Sequence, residues 1–500
     1  TPKKVTFGTL TRITFGEKNE GTINKTIFFV GETGTGKSTL INALANYAMG
    51  VKWEDDLCFE IVQDEKRSSS ESQTSDVIVY EIFGFENETL PFSLTLVDTP
   101  GFGATSGVKK DVFISQRLCD LLRSEDGVHE ANAVALVLKA STNRLSDRLI
   151  YIFDSLMSLF GKDMEKNIVA LITHSDGRTP KNVLKALEAA KIKCAKNEKN
   201  QPLYFLFNNC LNEDRTEDTD VLKLANERSE KLMTEFTAFL GGKQSKNLGT
   251  TCQVLKERIR MAACIQNLKE RITLSELKQT EITQIQEALK KHKEEMENNG
   301  KFSITVNDVY KELQTIDCGG QWWLGLFNDG ATRCTVCKEN CHYPGCTMAK
   351  RAQECAVMTS RGRCTSCTNK CPASDHVKDN QIYVTKTRKV QFTNEDIKMK
   401  YEKNESQSKK SSLLEYLVLE MDYMRAEWLL LLEEAFEHVV KLDQIALNVL
   451  SLSTHVHLDF LIEKMKETGD TEKVQKLEKM KSHEDKGLLE AVRYFFGKKD

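Results

Sequence analysis

Five hundred residues are enough for three or four domains of ordinary size, each able to bury its own core. Seventy basic against seventy-three acidic side chains leave a formal charge of −3, so overall charge argues for neither nucleic acid nor an anionic membrane as partner. The longest wholly apolar run in the C-terminal half, Trp428–Leu432, is far too short to cross a membrane.

The chain begins "TPKKVTFGTLTRITFG", which alternates like a strand and lacks the apolar core of a signal peptide. Up to about residue 240, strand-like and helical patterns take turns. The strands are "TIFFV", "DVIVYEIF", "FSLTLVDT", "AVALVLKA", "NIVALITH" and "LYFLFNN", with helices expected at Asp147–Phe160 and Lys181–Ala195. That alternation predicts an α/β fold, a doubly wound sheet with ligands at the C-terminal strand ends, over residues 1–245. After "GGKQSKNLG" a charged helix or linker is expected over 246–300, from about Thr251 to Asn298, with Leu255, Ile259, Ala262, Ile265, Leu268 and Ile272 on one face. A cysteine-rich module with flanking strands follows over 301–395, including "QIYVTKTRKVQF". The remainder, 396–500, contains no proline and reads as mainly α-helical from Ser411 to Phe496. Its wide apolar faces fit packing within the chain, with a coiled-coil dimer as the alternative.

"GETGTGKST" follows the strand "TIFFV" and opens a helix. Gly31, Glu32, Thr33, Gly34, Thr35 and Gly36 form a loop whose backbone N–H groups can converge on a phosphate. Lys37 can reach the β/γ-phosphates, Ser38 can offer a hydroxyl to Mg²⁺, and Thr39 extends the helix start. In "LTLVDTPGFG", Asp98 ends a strand and can hold Mg²⁺ through water, while the N–H of Gly101 can sense a γ-phosphate. "LITHSDG" ends another strand with Thr173, His174 and Asp176. A carboxylate there can accept two hydrogen bonds from guanine N1–H and N2–H₂, a donor pair that adenine lacks, and His174 can lie over the base. Asn208 and Asn209 reach the next strand end, where an amide can meet O6. Thr74, just before "DVIVYEIF", is the expected switch residue for Mg²⁺ and the γ-phosphate, with Ser72 and Ser75 as neighbours able to take that place.

These residues resemble the translation-factor-like GTPases, most closely the septin and immunity-associated (GIMAP, or IAN) branch, over about Lys25–Leu240. The resemblance implies a GTP/GDP switch with Mg²⁺, self-association as a homodimer or oligomer through the G domain, and immunity or organelle-surface roles. The chain departs from the branch at His174 and at the single Asp176 followed by Gly177. Ras-like proteins place a glutamine just after D-x-x-G to position the attacking water. Here Phe102 stands there, so Lys37 and Thr74 are left as the catalytic candidates, with Glu32 and the polar run "RSSSESQTSD" as substitutes for the glutamine. Slow hydrolysis, raised when two G domains meet, is the expected behaviour. A nucleotide-gated scaffold that hardly turns over and a P-loop ATPase are the alternatives.

Nine of the fifteen cysteines fall between Cys318 and Cys371. Two runs share the spacing C-x₂-C-x₃-C-x₄-[CH]. They give Cys334, Cys337, Cys341 and Cys346, then Cys364, Cys367, Cys371 and His376. Thiolates three residues apart bind one metal from a tight turn, and two such sets suit two tetrahedral Zn²⁺ ions in a reducing, cytoplasmic setting. His342 and Cys355 are spare donors, and sequential and interleaved arrangements are equally compatible with the spacing. A structural role is expected, with an unknown protein effector engaging the helical and zinc-binding region.

Overall fold

A computed structural model of the chain describes residues 2–7, 10–55, 57–62, 76–86, 88–102, 108–142, 146–208, 219–291, 303–316, 330–343, 345, 349–401, 413–449 and 451–482. The chain divides into two compact units. One comprises Thr1–Glu257 with Lys441–Asp500 and the other Arg258–Val440, so the division falls inside two long helices.

The first unit is built on an eight-stranded mixed sheet. Its strands are β1 (Lys3–Phe7), β2 (Leu10–Phe15), β3 (Asn24–Gly31), β4 (Ile78–Ile82), β5 (Ser93–Asp98), β7 (Ala133–Lys139), β8 (Ile168–Thr173) and β9 (Tyr204–Leu206); β6 (Glu130–Ala131) stands apart. The order is β1-β2-β4-β5-β3-β7-β8-β9. From β5 through β9 every pairing is parallel, whereas β4 runs antiparallel to β5 and β1 to β2. The N-terminal stretch expected as one strand is thus two, paired from Lys3↔Thr14 to Phe7↔Leu10. Strands β5 and β8 are buried along their whole length, as interior strands covered on both faces are.

Helices α1 (Lys37–Ala48), α2 (Val108–Arg123), α3 (Asp147–Met157), α4 (Lys181–Ala189) and α5 (Thr219–Gly242) connect and cover the strands. Ser146 caps α3, its hydroxyl accepting from Leu149 N at 3.2 Å. Helix α4 ends six residues before the expected Ala195 because the chain turns at Lys191, in the left-handed region at φ 50°. It then lays Ala195 beside β8, donating to Ile168 O at 2.8 Å. Ile27, Phe29, Leu96, Ala135, Val137, Leu171 and Phe236 anchor one contiguous apolar core.

Helix α6 (Gly249–Lys291) follows β10 (Lys246–Asn247), which pairs with β6. In the second unit β11 (Ser303–Thr315) pairs with β15 (Gln381–Thr393) in a thirteen-residue antiparallel ladder. Between them lies a three-stranded sheet ordered β13-β12-β14, formed by β12 (Ala331–Cys334), β13 (Glu339–His342) and β14 (His376–Asp379). The helices after it are α7 (Asn394–Tyr401), α8 (Leu413–Ile445), α9 (Leu452–Thr468) and α10 (Thr471–Ser482). Within this unit α6 meets α8, the Cys264 thiol donating to Leu431 O at 3.5 Å and Arg271 pairing with Glu427 at 3.2 Å. In the first unit the end of α8 and the turn after it bind α3 and its neighbours: Asn448 donates to Asp154 at 2.8 Å and Leu447 N to Phe160 O at 2.8 Å. No helix among the described residues is long and apolar enough to cross a membrane.

Candidate nucleotide site and cysteine cluster

Strand β3 lies between β5 and β7, so the order reverses there, and its C-terminal end is where a doubly wound sheet leaves a crevice for ligand. The loop from Gly31 to Gly36 sits at that end. Gly34 and Gly36 have φ of 77° and 85°, conformations that favour glycine and turn the backbone toward α1. A Cβ at Gly31 would come within 2.5 Å of Val137 O. The Lys37 amine donates to Gly31 O at 3.2 Å and Glu32 O at 3.0 Å, folded back over the loop it would leave to meet a phosphate.

Asp98, fully buried, ends β5, and the segment after it lies directly against the loop. Phe102 N donates to Gly31 O at 3.1 Å and Thr33 N to Phe102 O at 3.3 Å, a short parallel bridge. Phe102 is itself fully buried. Gly101 lies so close that a Cβ there would stand 2.6 Å from Thr33 Cα.

The C-terminal end of β8 joins the same place. The Thr173 hydroxyl, buried, donates to Thr35 O at 2.7 Å and ties β8 to the phosphate loop. His174 adopts φ 53°, uncommon for a residue with a Cβ, and its ring comes near Gly36. Asp176 is exposed and accepts from Arg178 N at 2.8 Å. Ser175 N donates to Phe207 O at 3.1 Å, which sets Asn208 beside this loop. The Asn208 carbonyl accepts from the Ser229 hydroxyl of α5. Ser38 and Thr39 open α1. Thr74, Asn209 and Cys346 lie outside the described residues.

Two residues at this site do not stand out in the sequence. Arg148, at the start of α3, pairs with Glu32 at 2.9 Å. Arg228 of α5 lies over Gly177, where an added Cβ would overlap its guanidinium. The rule that ligands gather at C-terminal strand ends points to the start of α3, which follows β7; nothing local marks Arg228.

In the second unit the two cysteine runs interleave. Cys334, Cys337, Cys367 and Cys371 form one group of potential ligand atoms all within 4.8 Å of one another, and Cys341, Cys364, Cys367 and His376 form another. The sheet explains the crossing, because Cys334 on β12 pairs with His376 on β14. Backbone amides donate to the sulfurs: Cys337 N to Cys334 at 3.3 Å, Ser366 N and Cys367 N to Cys364 at 3.3 and 3.4 Å, and Cys371 N to Cys367 at 3.3 Å. Hydrogen bonds from Cys337, Cys341 and Cys364 drive Cys367 far below the ordinary thiol range, while burial pushes Cys334 up to about 11. His342 and Cys355, the spare donors, stand outside both groups, Nδ1 meeting Sγ at 3.3 Å. Glu339, buried, ties the cluster to α6 by accepting from Asn267 and from Thr368 N, each at 2.9 Å, and by pairing with Arg271.

The mixed sheet with its run of parallel strands and the phosphate loop give the first unit a fold like that of a P-loop GTPase. Residues 21–132 match the family model for septins, and the domain is septin-like. Over 114 residues the chain is 31% identical to Septin-1 of mouse (Mus musculus) and equally to Septin-1 of rat (Rattus norvegicus), covering 21% of this chain and 28% of theirs. The chain therefore spans under a third of the length of these relatives. Among solved structures it is similar to Toc33 from Arabidopsis thaliana in complex with Mg²⁺ and GMPPNP: 15% identity, TM-score 0.31, covering 45% of this chain and 88% of that one. The corresponding figures for Toc33 with GDP and Mg²⁺ are 14%, 0.29, 46% and 89%.

Proposed function

We propose that the protein is a guanine-nucleotide switch that binds GTP and GDP with Mg²⁺, hydrolyses GTP slowly as a monomer and faster on self-association, and carries a zinc-stabilised effector region. The phosphate loop, Ser38 and Asp98 hold the nucleotide and its Mg²⁺, with Thr74 as the switch residue for Mg²⁺ and the γ-phosphate. Asp176 and His174 select guanine, assisted by Asn208 and Asn209. A cytoplasmic, immunity-associated role is the corresponding biological reading.

One observation carries the kinetic part. Phe102 fills the place of the water-positioning side chain, is wholly buried and is locked to the loop by its backbone, while the nearby Glu32 carboxylate is held by Arg148. Phe102 has no group that could orient an attacking water and the Glu32 carboxylate is engaged by Arg148, which supports a second G domain as the source of the missing group.

Chromatography of nucleotide released from purified protein, followed by GTP turnover across a dilution series, tests this reading. Bound guanine nucleotide and a specific activity that rises with protein concentration are expected. Fast turnover that is flat on dilution would overturn the self-association step. Bound GTP with negligible turnover at every concentration would favour the scaffold reading instead, to which Phe102 lends equal support.

A further inference from the structure

Among the described residues the two groups of metal donors contain seven residues and not eight, because Cys367 belongs to both. Two tetrahedral ions need eight ligand positions. Seven donors fill them only if one donor serves twice, and a thiolate sulfur, with several lone pairs, can do so where an imidazole nitrogen cannot. We propose that the cysteine cluster is a single binuclear zinc–thiolate centre in which Cys367 Sγ bridges the ions, with Cys334, Cys337 and Cys371 completing one coordination sphere and Cys341, Cys364 and His376 the other. This deepens the zinc reading above and rests on it.

The geometry fits. Zn–S bonds of about 2.3 Å in a tetrahedron set neighbouring sulfurs about 3.8 Å apart. Cys337 and Cys371, the first from one repeat and the second from the other, stand with their sulfurs 3.7 Å apart. His376 is buried, and its Nδ1 lies 2.9 Å from Pro372 O, a group that only accepts, so Nδ1 carries the proton. Nε2 is then the lone-pair nitrogen. His376 is buried with the Cys364 and Cys367 sulfurs as neighbours, as a ligand oriented by a carbonyl behind it should be. No carboxylate enters either group, and six sulfurs with one nitrogen suit zinc.

Charge supports the same arrangement. Six thiolates and two Zn²⁺ ions carry a net charge of about −2 by formal count, and binding expels the thiol protons. The four backbone N–H groups directed at Cys334, Cys364 and Cys367 are the compensation a buried anionic cluster requires. The bridging sulfur receives one of them directly, from Cys371 N.

The rival arrangement keeps two separate ions and fills the eighth position from His342, Cys355 or Cys346. ¹¹³Cd substituted into the 500-residue chain separates the two. A bridge predicts two ¹¹³Cd resonances, two ions per chain by elemental analysis, and a ¹¹³Cd–¹¹³Cd scalar coupling carried through the shared sulfur. Two resonances without coupling would overturn the bridge and leave the zinc reading standing. No bound metal, with thiols oxidised in pairs, would overturn both. Cys355→Ser provides the second arm. With a bridge, metal count and coupling are unchanged; loss of one ion assigns the eighth position to Cys355 and overturns the proposal.

Discussion

The nucleotide-binding unit and the cysteine-rich segment solve the same problem, holding a ligand in fixed geometry, by opposite means. Around β3 the scaffold is a large apolar core of Phe, Leu, Ile and Val, and the ligand loop rests on its rim. Around β12 the buried cluster of described residues has twelve members, of which six are cysteines, four are alanines and only Val357 and Met358 are larger apolar groups. In the first case the core positions the site. In the second the site is the core. The comparison predicts a difference in dependence: the first unit buries a large apolar core of its own, whereas the cysteine segment, on the zinc reading proposed above, would draw much of its interior from the metal.

Metal removal is the strongest way to break this comparison. Chelation should unfold the segment from about residue 330 to 380, since structural zinc contributes on the order of 10 kcal/mol to small metal-dependent folds. Limited proteolysis should find new cleavage there while GTP affinity changes by less than about twofold. Unchanged protease resistance after complete removal of metal would mean that the apolar members suffice.

The complementary break is Lys37→Ala. It should weaken GTP binding about a hundredfold, as expected for a lost hydrogen bond to a charged group of about 3 kcal/mol, without changing metal content. Calorimetry and elemental analysis on one preparation read both halves.

Gly101→Ala sharpens the comparison within the first unit. Because a Cβ there would meet Thr33 Cα at 2.6 Å, the phosphate loop must shift. GTP affinity should fall by roughly tenfold, with about 1–3 kcal/mol lost from stability as for other overpacked sites. A melt that moves without any change in affinity would show that the loop yields elsewhere.

The smallest effect concerns the ordinary thiols of the first unit. A hydrogen bond from Cys119 lowers Cys252 to about 6, while its engagement with Cys252 and burial hold Cys119 well above the usual range. Alkylation of Cys252 should therefore rise through about pH 6, well below the usual thiol midpoint near 8.5. The sign for stability follows from the direction of each shift. The Cys252 contribution is complete above the ordinary thiol range and fades as pH falls through about 6. The Cys119 contribution is complete below the ordinary range and is lost as pH rises beyond it. An alkylation midpoint near 8.5 would remove the pair.

Much of the first unit is legible in the sequence because its signals are local. "TIFFV", "LTLVD" and "NIVALIT" are apolar runs long enough only for buried strands, and the phosphate loop follows one of them directly. The N-terminal hairpin is less legible, since the alternation of apolar residues continues through "TFGTLT" on both strands. The end of α4 is hidden for a similar reason, as "KIKCA" keeps a helical spacing while tertiary pairing of Ala195 with Ile168 overrides it. The cysteine repeats are ambiguous by construction. Two identical spacings can close on themselves or on each other, and the choice is made by β12 pairing with β14, partners more than forty residues apart. Arg148 and Arg228 were invisible because what matters is the loop each side chain reaches across the fold.

The bridge between Gly31, Thr33 and Phe102 has a consequence in time as well as in space. The Phe102 and Thr33 amides are the two rungs of one small ladder, each donating across the same pair of segments. Such rungs do not open singly; breaking one removes the alignment that holds the other. Their exchange with deuterium should be correlated, both slow or both fast. A γ-phosphate that draws in Gly101 would be recorded as a joint change in these two protection factors, even where the average coordinates hardly move.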